Sequence, residues 1–232
     1  MKTAILMSLA LVPVMPIVQA QNRFQNLGFE SANLTPIPQG QHGNLVPIGQ
    51  ALPGWSAFVG SLQVTEVLQN NLLAGGANIS ILGPDWTGPG IIEGRYSVVL
   101  QAGGKFTGLV NASISQTGWV PTGVESIQLK VSGSDFSVSF AGQNVPLIPL
   151  SSGANYTLYG GDVAPYAGQT GELTLSALTV PNHQFNSVFF DSIALSAEVV
   201  PEPSVLGLLG IGLSLLGWRF FSNRRVKDRI FP

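Results

Sequence analysis

Residues 126–140 read Ser126-Ile-Gln-Leu-Lys-Val-Ser-Gly-Ser-Asp-Phe-Ser-Val-Ser-Phe140. In the first half polar and apolar residues alternate, with Ile127, Leu129 and Val131 in one phase. Successive side chains of a strand point to opposite faces, so this is the pattern of a strand with one buried side. Phe136, Val138 and Phe140 repeat it in the opposite phase. Ser134-Asp135 between them has turn chemistry, and the stretch predicts a hairpin.

The same punctuation continues in both directions. Short apolar or alternating runs are separated by Gly, Pro, Asn and Asp. Strands are expected at Trp55–Val59, Leu62–Leu68, Asn78–Leu82, Tyr96–Gln101, Ala112–Gln116, Ser126–Val131, Phe136–Phe140, Tyr156–Tyr159, Glu172–Leu178 and Ser187–Ala197. No amphipathic helix pattern interrupts them. About ten short strands predict an all-β fold, a jelly-roll β-sandwich of two sheets. The absence of a sequence repeat disfavours a β-helix or propeller.

Both ends of the 232-residue chain differ from this middle. Residues 1–20 have the make-up of a secretory signal peptide. Lys2 begins it, Ala4 to Val18 is apolar, and Val18-Gln-Ala20 supplies small residues for cleavage before Gln21. Residues 200–232 begin Val200-Pro201-Glu202-Pro203-Ser204. The two prolines fix φ and remove backbone donors, which makes a stiff extended spacer, and Ser204 suits a helix N-cap. The apolar run 205–221 follows. As a helix it reaches roughly 25 Å, against a hydrocarbon core of about 30 Å, with Arg219 able to snorkel to the interface. Arg224, Arg225, Lys227 and Arg229 then place this end on the cytoplasmic side. One transmembrane helix is therefore expected, and a plain uncut anchor is the simple alternative.

The ectodomain between them, residues 21–199, carries four basic residues against ten acidic ones, a balance of −6. Nucleic acid as a partner needs clustered Lys and Arg, so this balance argues against it. The chain has no cysteine, so packing rather than disulfides must hold the exported domain.

The order of proline motif, apolar run and basic end closely resembles the PEP-CTERM sorting signal of bacterial exported proteins. That resemblance implies an exosortase-type membrane protease as partner and the bacterial membrane as the site of processing. It further implies delivery to the cell surface or extracellular matrix. A second resemblance lies at the ends of the ectodomain. Asn26-Leu-Gly-Phe-Glu30, Leu52-Pro-Gly-Trp55 and Phe189-Phe-Asp-Ser-Ile-Ala-Leu-Ser196 are similar to the opening and closing segments of galactose-binding-like and carbohydrate-binding modules. It implies a structural calcium joining the first and last strands, for which Glu30 and Asp191 are the matching positions. Such an ion needs six to eight oxygens, so backbone carbonyls would have to complete the set.

Catalytic candidates are thin. The histidines are His42 and His183, both in loop-like sequence, and no Gly-x-Ser-x-Gly or P-loop pattern occurs. Glu66, Asp85 and Glu93 are candidates for a carboxylate pair of the kind glycoside hydrolases use, but scattered acids are usually solvated surface. Sugar binding needs aromatic platforms with hydrogen-bonding neighbours. Trp86, in Pro84-Asp-Trp-Thr-Gly-Pro-Gly90, and Trp119, in Thr117-Gly-Trp-Val-Pro121, stand in loop-forming context, whereas Trp55 reads as core. The expectation is a non-catalytic exported protein. A module engaging exopolysaccharide is the alternative, and a secreted glycoside hydrolase a distant third.

Overall fold

The computed structural model describes residues 22–38, 41, 43, 45–72, 76–104 and 108–200. The expected signal peptide, most of the proline motif (201–204), the transmembrane helix 205–221 and the basic residues 219–229 lie outside the described residues, as does His42.

Among the described residues fourteen strands form two sheets. In chain order they are β1 (Leu45–Pro47), β2 (Ser56–Val59), β3 (Leu62–Val64), β4 (Glu66–Gln69), β5 (Asn78–Leu82), β6 (Ser97–Gly103) and β7 (Ala112–Trp119). Then come β8 (Ser126–Ser132), β9 (Phe136–Phe140), β10 (Gln143–Asn144), β11 (Leu147–Ser152), β12 (Thr157–Asp162), β13 (Thr170–Ala177) and β14 (Phe185–Ser196). One sheet has eight strands in the order β1-β4-β5-β6-β14-β8-β12-β11, the other six in the order β10-β9-β13-β7-β2-β3. The β4–β5 pair is parallel. A single turn of α-helix, α1 (Ile48–Ala51), interrupts them, and no helix here is long and apolar enough to cross a membrane among the described residues. The chain is therefore the two-sheet β-sandwich its pattern predicts.

The opening stretch is correct in its strands and wrong in their pairing. β8 lies between β14 and β12 in the larger sheet, whereas β9 lies between β10 and β13 in the smaller one. The expected hairpin does not form. Ile127, Leu129 and Val131 instead enter the core from one sheet, and Val138 and Phe140 enter it from the other. Phe136 of β9 meets Phe190 of β14 edge-to-face at 5.6 Å across the gap. Alternation states which side chains are buried, and it is satisfied equally by a hairpin or by a crossing between sheets. Gly133, at φ +119°, and Asp135, at φ +54°, turn the chain across.

Three further differences have backbone causes. Leu62–Leu68 is two strands, because the chain leaves the smaller sheet after β3 and joins the larger one as β4. β1 and β11 were not foreseen. Each contains a proline, Pro47 and Pro149, and each is an edge strand, the place in a sheet where a missing N–H is tolerated. β11 takes up its proline with a register shift between Pro149 and Ser151. The two-residue β10, also not foreseen, is too short to leave a pattern.

The larger sheet is not wet on its outer side. Every residue of β5 and β6 is buried, including Leu82 and Val99, which alternate with the core-facing residues. The segment Gly83–Tyr96 lies over this outer face. A Cβ on Gly90, were there one, would come within 3.0 Å of Leu82 and closer still to the ring of Phe189. The close approach and φ of +126° both require glycine at position 90.

Candidate functional site

The covering segment is fastened by the two carboxylates that the sequence singled out. Glu30 follows a turn in which Phe29, fully buried and at φ +60°, packs on Trp55 with ring centres 5.7 Å apart. Trp55, in the core as its context suggested, donates its indole N–H to the Asn26 carbonyl at 3.2 Å. With Phe29 so anchored, Glu30 Oε1 accepts the backbone N–H of Arg95 at 2.9 Å and of Tyr96 at 3.1 Å. Gly94, at φ +61°, presents bare backbone to that carboxylate, and a Cβ there would run into it.

Asp191 reaches the same segment from the last strand. Its side chain is 1% exposed. Oδ2 accepts the Ser97 hydroxyl at 2.6 Å and the Glu93 N–H at 3.1 Å. Oδ1 accepts the Ser192 N–H at 2.6 Å, and the Ser192 hydroxyl oxygen stands 3.4 Å from it. Burial pushes the Asp191 carboxyl above the ordinary carboxylate range; the Ser97 hydroxyl and the two N–H groups pull it back in part, and the nearby Glu30 charge pushes it further up. Ser192, at φ +49°, lies in a bulge of β14 between Asp191 and Ala194, and its hydroxyl donates to Glu93. Glu93 also pairs with Lys130 at 2.7 Å, and Lys130 lies over the Tyr156 ring at 5.0 Å. The Lys130 bond holds Glu93 below the ordinary carboxylate range and raises Lys130 in turn. Asn155 adds a bond from its side-chain amide to the Ile91 carbonyl at 2.9 Å.

Glu30 and Asp191 are thus brought to one place, but what joins them is the backbone N–H groups of residues 93, 95 and 96 and the Ser97 hydroxyl. The set does not fit a calcium ion. Three of the four lone-pair directions of Asp191 are taken by the Glu93 and Ser192 N–H groups and the Ser97 hydroxyl, and a cation bound through both oxygens would have to displace them. No group of three or more His, Asp or Glu suited to a metal occurs among the described residues.

The tryptophans stand apart. Trp86 is half-buried on the covering segment, and its indole N–H donates to the Pro89 carbonyl at 2.9 Å. Its ring lies over Gly88, where a Cβ would be 2.6 Å from Cζ2. Trp119 is the last residue of β7 in the other sheet, paired with Thr170, and its buried indole N–H has no hydrogen-bond partner among the described residues. Of the three carboxylates considered for catalysis, Glu66 opens β4, Asp85 accepts the Ile37 N–H at 3.4 Å, and Glu93 is held by Lys130. No hydrogen bond links any two of them among the described residues.

A cleft of about 120 Å³ opens beside the fastened segment. Gln69 and Asn70 at the end of β4, Pro84 and Asp85, the 34–36 stretch, and Arg95 with Tyr96 form its walls. The Arg95 guanidinium lies over the Tyr96 ring at 5.5 Å. Asn70, at φ +47°, accepts the Gly83 N–H at 2.7 Å, and Gln69 donates to the Thr35 carbonyl at 2.9 Å. Sequence reading missed Gln69, Asn70 and Arg95 as a group because they come from separate segments. The Gln-Asn-Asn run closing a strand was the one local signal.

The other functional element follows β14 directly. Residues 199–225 match the family model of the PEP-CTERM protein-sorting motif. The chain carries a PEP-CTERM signal. Such a signal is recognised by exosortase, a membrane protease, so this is an exported protein processed while anchored in a membrane. No curated protein matches the chain. Among solved structures it is similar to TmCBM61 in complex with β-1,4-galactotriose, at 14% identity and a TM-score of 0.41, over 77% of this chain and all of that one. It is also similar to the apo form of a cyclase from Fischerella sp., at 16% identity and a TM-score of 0.43, over 78% of this chain and 98% of that one. A third is the enzymatically active domain of tailspike protein 4 of bacteriophage CBA120, at 14% identity and a TM-score of 0.34, over 60% of this chain and 19% of that one.

Proposed function

We propose that this protein is a non-catalytic component of the cell surface or extracellular matrix, delivered there by its PEP-CTERM signal. The observation that carries the reading is adjacency. β14 ends at Ser196 and the motif begins at residue 199, so the sandwich is tethered through its own last strand. The acids closest to one another support a structural rather than catalytic use, since Glu30, Glu93 and Asp191 are all engaged in holding the 83–96 segment or its Lys130 partner. The test is fractionation of cells expressing an exosortase, with intact mass of the product. A mature species starting at Gln21, shortened near Pro201-Glu-Pro203 and found in the surface or matrix fraction, is expected. A species still ending at Pro232 in the membrane would leave a simple anchor. Turnover of a polysaccharide, abolished by Glu93→Gln or Asp85→Asn, would restore the hydrolase reading.

A second reading, binding of exopolysaccharide, is favoured by the cleft. Sugar hydroxyls are bound by planar polar groups that donate and accept together, beside apolar or aromatic surface. Asp85, Arg95 and Gln69 with Tyr96 supply that combination, and Trp86 stands on the same covering segment. Retention on exopolysaccharide should fall for Arg95→Ala or Asp85→Ala if the cleft is the site, and for Trp86→Ala if the indole is. No retention of the wild type would end the reading.

A further inference from the structure

The chain does not leave the sandwich freely at the end of β14. Glu125 donates its N–H to the Ser196 carbonyl at 2.8 Å, closing the last rung of the sheet. Two residues on, the Glu198 carbonyl accepts the hydroxyl of Ser126 at 2.7 Å, and the Glu198 N–H donates to Ser196 Oγ at 3.0 Å. Ser126 is fully buried, so the donor end of this bond is shielded from water, while Glu198 itself is exposed. Val199 then points outward at 73% exposure, but Val200 turns back onto the sheet. Its Cγ2 occupies space 3.0 Å from where a Cβ on Gly160 would be, beside Leu150 at 2.8 Å. Gly160 pairs with Gln128 of β8, on the outer side of the larger sheet. Bare backbone in β12 therefore makes the seat for Val200.

This places a folded contact at the first residues of the sorting motif, one residue before Pro201. Enzymes that bind a peptide as an extended strand use its backbone N–H and C=O groups. The Glu198 carbonyl and N–H are already committed to Ser126 and Ser196. We infer that the sandwich itself sets how much of the motif the membrane protease reaches, and that Ser126 and Gly160 are positioning residues for processing. The fold holds the chain through Val200. The enzyme engages residues on the N-terminal side of Pro201 only when this junction lifts from β8 and β12. Such an opening needs loss of a few contacts at a strand end and leaves the core intact.

The test uses the full chain with an epitope after Pro232, in cells expressing an exosortase, and follows loss of the epitope by pulse–chase. A four-residue Gly-Ser spacer between Glu198 and Val199 keeps residues 199–225 together and the Ser126 bond in place while freeing Val200. It should speed processing several-fold. Ser126→Ala and Gly160→Val should each speed it by a smaller factor. The same spacer placed between Ala141 and Gly142, in the turn joining β9 to β10, should leave the rate unchanged. Should Ser126→Ala or Gly160→Val fail to fold, the spacer variant decides. Processing of the Glu198–Val199 spacer variant at the wild-type rate, or more slowly, overturns the inference.

Discussion

Asp191 shows how one buried carboxylate can serve a loop rather than a reaction. Its oxygens accept two backbone N–H groups and the Ser97 hydroxyl, so Asp191→Ala orphans three donors at a site that is 1% exposed. At about 1–3 kcal/mol for each buried unsatisfied group, a loss of about 3 kcal/mol or more is expected in denaturant unfolding. Its titration has a definite sign. Burial raises the folded-state pKa above the unfolded value, so the folded state holds the proton more tightly. The contribution is full below the unfolded pKa and is lost as pH rises through the folded one. Asp191→Asn does not ionise there. The stability difference, wild type minus Asp191→Asn, should therefore shrink from acid toward neutral pH. A difference that stays flat or grows would contradict the assignment. Glu93 works the other way, adding stability above its unfolded pKa that is lost as pH falls through its lowered folded value. It is exposed and present in both proteins, so the comparison cancels it. Gly94 tests the Glu30 side of the same fastening. Gly94→Ala meets a left-handed backbone and a carboxylate together, and about 2 kcal/mol or more should be lost.

Among the elements, the crossing between β8 and β9 tolerates a side chain less well than the β9–β10 turn. Gly133 has φ +119°, and a Cβ there would sit 2.8 Å from the Ser187 carbonyl oxygen. Gly142, in the β9–β10 turn, has φ +77° with nothing within 4 Å. Gly142→Ala should cost about 1–2 kcal/mol, the left-handed penalty alone. Gly133→Ala should cost clearly more, because β14 must shift as well. Equal losses for the two in parallel urea melts would mean that the contact with Ser187 carries no weight.

For the molecule as a whole, the fastening by hydrogen bonds bears on metal dependence. With both Asp191 oxygens engaged by three donors, thermal unfolding of the full ectodomain should give the same Tm in calcium and in chelator. A bound ion at a hundredfold excess over its Kd would add about 2.7 kcal/mol, a rise of a few degrees in a domain of this size. A rise of that order, lost in Asp191→Ala, would mean that an ion displaces the Ser97 and Ser192 donors. The same fastening explains why β5 and β6 are buried on both faces in a sandwich whose sheets would otherwise each keep one wet side.

Sequence alone determined the class of fold, because alternation in Ser126–Val131 and Phe136–Phe140 has a period of two whatever lies alongside. It also determined Trp55 as core and the PEP-CTERM signal, whose order of prolines, apolar run and basic cluster is written in consecutive residues. Strand partnership was not legible, since a crossing and a hairpin bury the same side chains. The cleft was not legible either, because Gln69, Asp85 and Arg95 meet only after three segments converge. Nor was the use of Glu30 and Asp191. A carboxylate in sequence offers its lone pairs equally to an ion or to N–H groups. Only the fold, by laying residues 93–97 between the Glu30 turn and β14, decided which donors reach them.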